Sequence, residues 1–73
     1  MTTDSSAAAD LVDGDAYHTL CLLEPKLILL IAMRLKRGDS PQHIADEAKR
    51  GGASDLLHSQ IWSTGEYMLR EGL

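Results

Sequence analysis

The chain has 73 residues, a formal net charge of -4, 25% charged residues and one cysteine. That length allows one small domain, which buries only about 60% of its unfolded surface and so usually leans on a disulfide, a metal or a partner. A lone Cys21 excludes an internal disulfide and no zinc-spaced set of cysteines and histidines is present, so the expected support is another protein or a second copy, a homodimer or larger, with no cofactor.

Residues 1–14 are small and acidic, and the expectation is a mobile tail ahead of a single helical domain over residues 15–73. Four acids, Asp4, Asp10, Asp13 and Asp15, precede residue 16, whereas the remainder carries seven acids and seven bases. The N-terminus lacks the basic start and apolar core of a secretory signal. The longest apolar run, Leu27 to Met33, is far short of the roughly 20 residues that span a bilayer. The expected location is therefore the cytoplasm, with no membrane partner.

Asp15 is placed to cap a short helix through Leu23, carrying Tyr17, Leu20, Cys21 and Leu23 as its apolar residues, and Asp13-Gly14-Asp15 equally suits a turn that leads directly into it. Pro25 has no backbone N–H and suits a first helical turn, so Glu24-Pro25 marks a boundary between two helical pieces. A second helix is predicted to run to Arg37. Its last turn holds Arg34, Lys36 and Arg37, which complement the helix dipole, and Gly38 follows as a left-handed stop.

Ser40 as cap and Pro41 at the first helical position start a third helix, which carries Ile44 and Ala48 on one face and stops at Gly51-Gly52. Ser54 caps a fourth, on which Leu57, Ile61, Gly65 and Met68 follow the helical period. Ser63 and Glu66 form a capping box that offers a break. Continuity is preferred, with Gly65 admitting a close neighbour at a cost of about 1 kcal/mol relative to alanine. The expected fold is all-α, a small three- to four-helix bundle.

Residues 40–61 resemble a helix-turn-helix, with Ile44-Ala45 as the small-plus-apolar pair. The glycines arrive about two residues later than that motif expects. A DNA reader of this form, using residues 40–70, would rely on Arg34, Lys36, Arg37, Lys49 and Arg50 for phosphates and on His58 and Gln60 for bases. Its second helix starts with Asp55 and has no Lys or Arg before Arg70, which weighs against it.

His18 and Cys21 share a helical face, but two ligands do not make a structural metal site. Ser54, Asp55, His58 and Ser59 include the residue types of a nucleophilic centre without a nucleophile turn or oxyanion loop, so no enzyme is expected. The second helix is the most telling feature. It is apolar around nearly its whole circumference and needs cover on every side. With no phenylalanine and one tryptophan, the chain has little to cover it from within. The resulting expectation is a non-catalytic regulator or adaptor that binds protein, self-associating through Leu30 and Ile31 on the second helix. Trp62, Tyr67, Met68 and Leu69 form a second candidate contact region.

Overall fold

Local signals set the helix ends. In the computed structural model, which describes residues 14–73, α1 is helical over residues 14–23 and α2 spans Pro25–Lys36. α3 spans Pro41–Arg50 and α4 spans Asp55–Glu71. Among the described residues there is no strand, and the four helices pack together as a small all-α bundle. The expected N-terminal tail lies outside the described residues except for Gly14, which is already helical. Asp15 is therefore inside α1 rather than its cap.

Glu24 interrupts the helical path between α1 and α2, with Pro25 in the first turn of the second. Ser40 Oγ accepts the His43 N–H and Ser54 Oγ accepts the Leu57 N–H, both at 3.1 Å. Each cap satisfies an amide that the first helical turn leaves open. At the other ends, Gly38 and Gly52 take φ of 100° and 108°. Those turns let the Asp39 N–H reach the Arg34 carbonyl and the Ala53 N–H reach the Ala48 carbonyl.

The capping box at Ser63 does not break α4, which runs unbroken. Gly65 is buried there, and a β-carbon built on it would lie 2.8 Å from Cβ of Pro41. The bare glycine is what lets α3 seat its first turn on α4, and α3 packs most extensively on that helix.

The core takes Leu20 from α1, Ile31 from α2, Ile44 and Ala45 from α3, and Ile61 and Met68 from α4. Tyr17, Leu27, Ile28, Leu35, Leu57 and Trp62 pack around them, half-buried. Thr64 is also fully buried on α4, with no hydrogen-bond partner for its hydroxyl.

Candidate functional site

α2 meets only part of the cover its composition demands. At about 100° per residue, Ile31 points to one side of the helix while Lys26, Leu29, Leu30, Met33, Lys36 and Arg37 fall within an arc of about 120° on the other. The side chains divide accordingly. Ile31 is 0% exposed, whereas Leu29, Leu30 and Met33 are 66%, 45% and 59% exposed. Leu22 and Leu23, at the end of α1, are more exposed still. Of the eight exposed large hydrophobics among the described residues, five thus lie between residues 22 and 33.

Beside this ridge runs an open groove of about 180 Å³. Leu27, Leu30, Ile44 and Ala48 line it, together with Arg34 and Glu47. Leu30 belongs to both ridge and groove. Arg34 bonds Asp39 through Nε and lies 2.9 Å from Glu47 through Nη2. The guanidinium holds the carboxyls of both Asp39 and Glu47 below the usual carboxylate range. It joins the end of α2 to α3 and is committed to that task.

The interface residues named from sequence separate on burial. Leu30 and Leu69 are exposed, and Trp62 and Tyr67 are half-buried. Ile31 and Met68 are core residues of the single chain, because the phase of each helix turns them inward. Trp62 packs edge-on against His58, with ring centroids 5.7 Å apart, and Tyr67 packs on Tyr17. Leu22, Leu23, Leu29 and Met33 were not singled out by sequence reasoning. The signal for two of them, Leu29 and Met33, was present in the recurrence of Lys26, Leu29, Met33, Lys36 and Arg37 at helical spacing.

The nucleic-acid candidates also divide. Lys49 Nζ lies 2.7 Å from Asp55 at the start of α4, which lowers the Asp55 pKa and raises that of the lysine. His58 Nε2 lies 2.8 Å from Asp46 Oδ1, so the histidine is held by α3 rather than by Asp55. Gln60 is half-buried, while Lys36, Arg37 and Arg50 are exposed. The second helix of the motif-like pair therefore opens on a carboxylate and a leucine, Leu56, that is 69% exposed.

Ser54, taken up by its cap, and Asp55, taken up by Lys49, leave no chain of hydrogen bonds from serine to histidine to acid at this helix start. An open depression of about 440 Å³ runs along α4 past His58, Ser59, Trp62, Ser63 and Glu66. His18 Nδ1 lies 2.7 Å from the Gly14 carbonyl oxygen. Among the described residues no group of three metal-ligating side chains comes together, and no helix is long and apolar enough to cross a membrane. No family model matches this chain, and no curated protein or solved structure matches it.

Proposed function

We propose that this protein is a small non-catalytic regulator or adaptor that acts by binding another protein through exposed apolar helical surface. One observation carries the reading: five large hydrophobic side chains between Leu22 and Met33 face solvent on a 73-residue chain. Isolated apolar side chains on a surface are ordinary, but a concentration of them on one helix and the end of its neighbour marks a contact surface. The groove beside Leu30 gives that surface the relief that a flat patch lacks.

The test is a triple variant, Leu29→Ser, Leu30→Ser and Met33→Ser. It is expected to melt near the wild type, since all three side chains are exposed, and to lose recovery of protein partners from nuclease-treated native lysate. Unchanged recovery of partners would remove the reading.

A helix-turn-helix regulator is the second reading, favoured by the capped order α3, a short connection, and α4. Its charge is against it, because the start of α4 pairs its acid with the nearest lysine. Tight, sequence-selective duplex binding in a gel shift, abolished by Lys49→Ala with Arg50→Ala and weakened by salt, would establish it instead.

A further inference from the structure

The exposed face of α2 is charged in a particular way. No Asp or Glu lies between Glu24 and Asp39 in the sequence, while that stretch holds Lys26, Arg34, Lys36 and Arg37. Arg34 is neutralised by Asp39 and Glu47. The other three are exposed, and among the described residues none lies within ion-pair distance of a carboxylate. They share the arc of Leu29, Leu30 and Met33 and bracket it, with Lys26 at one end and Lys36 and Arg37 at the other. The two ends are about 16 Å apart along the axis. α4, by contrast, carries Asp55, Glu66 and Glu71 against Arg70 alone.

An apolar trio with a base at each end selects its occupant by charge. A second copy is a poor fit on this face: a parallel two-fold pairing sets Lys26 on Lys26, and an antiparallel one sets Lys26 against Lys36 and Arg37. Like charges then meet at both ends either way. A lipid surface would satisfy the bases, yet it is flat, while the groove lined by Leu27, Leu30, Ile44 and Ala48 is concave and suits an inserted side chain. A helix with leucine-like side chains on one stripe and acids on either side answers all three features.

We infer that the Leu29–Leu30–Met33 face of α2, with Lys26, Lys36 and Arg37 at its ends, docks an acidic amphipathic helix of a partner protein. The inference rests on the protein-binding reading above and narrows it to one partner chemistry. The apolar stripe of the partner lies on the ridge and sends one side chain into the groove beside Leu30. Its carboxylates reach the three bases.

The test uses the full chain and two labelled synthetic helices with identical leucine stripes, one carrying glutamate at all other positions and one carrying lysine. Fluorescence anisotropy should show the glutamate peptide binding at least tenfold more tightly than the lysine peptide. Raising salt from about 0.05 M to about 0.5 M should weaken it by about tenfold, because exposed charges are then screened. Lys26→Glu with Arg37→Glu should reverse the preference between the peptides with only a small change in melting temperature, since an acid is favoured in the first turn of α2 and disfavoured at its end. Equal, salt-insensitive binding of both peptides would overturn the charge selection and leave the protein-binding reading standing. A dimer that excludes both peptides and is broken by Leu30→Glu would assign the face to a second copy, again overturning only this inference. A monomer that binds neither peptide, or one that binds vesicles of anionic lipid and neither peptide, would overturn both.

Discussion

Between Ser40 and Gly72 only Leu56 and Leu69 among the large apolar side chains are exposed, while between Leu22 and Met33 five are. The first region is an antiparallel-style corner closed by specific devices: Pro41 seated on Gly65, Lys49 paired with Asp55, and His58 paired with Asp46. The second has the greater density of apolar residues and far less cover, since α2 packs more sparingly on α3 and α4 than those two pack on each other. Cover therefore follows from how closely two backbones approach, not from how apolar a helix is. A helix that is apolar all round and meets neighbours on one side must show the remainder to solvent or to a partner.

The sharpest way to break that comparison uses adjacent residues of α2. Ile31→Glu places a charge at a fully buried site with no partner, and the expected result is loss of the cooperative melt, a cost of several kcal/mol. Leu30→Glu, one position away, should leave the melt within about 0.5 kcal/mol of wild type and remove binding. If both variants unfold alike, the two faces of α2 are not distinct.

The α3–α4 corner is probed by Gly65→Ala. Alanine favours a helix by about 1 kcal/mol over glycine, but the new β-carbon meets the rigid ring of Pro41, and overpacking costs about 1 to 3 kcal/mol. The net outcome should be a lower denaturation midpoint. Pro41→Gly combined with Gly65→Ala should recover part of the packing loss, and simple additivity of the two changes in chemical denaturation would argue against the contact.

Thr64→Val tests the buried side of α4 with the opposite sign. The buried hydroxyl has no partner and valine has nearly the same shape, so stability should rise by about 1 kcal/mol. A fall in melting temperature would mean that the hydroxyl is satisfied in solution.

The smallest effect concerns the ion pairs that link α2 to α3. Arg34 lowers the pKa of Asp39 and of Glu47, so the stability that this adds is present above the ordinary carboxylate value. It disappears as pH falls through the depressed folded values. The difference in melting temperature between wild type and Arg34→Met should be largest near neutral pH and shrink in acid. A difference that is constant with pH would assign the role of Arg34 to packing by its alkyl chain.

Much of this was legible in the residues alone. Ser40, Pro41, Gly38, Gly52 and Ser54 mark helix ends through contacts that span three to five residues, and such contacts form wherever the chain goes. The stripe Leu57, Ile61, Gly65, Met68 specified the inner face of α4 because its members recur at steps of four, four and three, the helical period. Less of the candidate surface was readable. Leu30 and Leu69 were expected at an interface and are exposed, but Ile31 and Met68 were expected beside them and are interior.

The chain by itself thus determined an all-α fold, its helix boundaries after Leu23 and the small residue at which two helices approach, because each of these follows from neighbours in sequence. Which side of α2 turns inward was decided only by tertiary structure. A helix apolar at nearly every angle carries no directional preference of its own, and its orientation was chosen by Leu20, Ile44 and Ile61, which pack with Ile31 in the same core cluster. The same is true of His58, whose partner is Asp46, twelve residues back on α3, rather than the nearer Asp55 that Lys49 already holds. Packing of distant segments set both choices and, with them, left Leu29, Leu30 and Met33 facing outward between three bases.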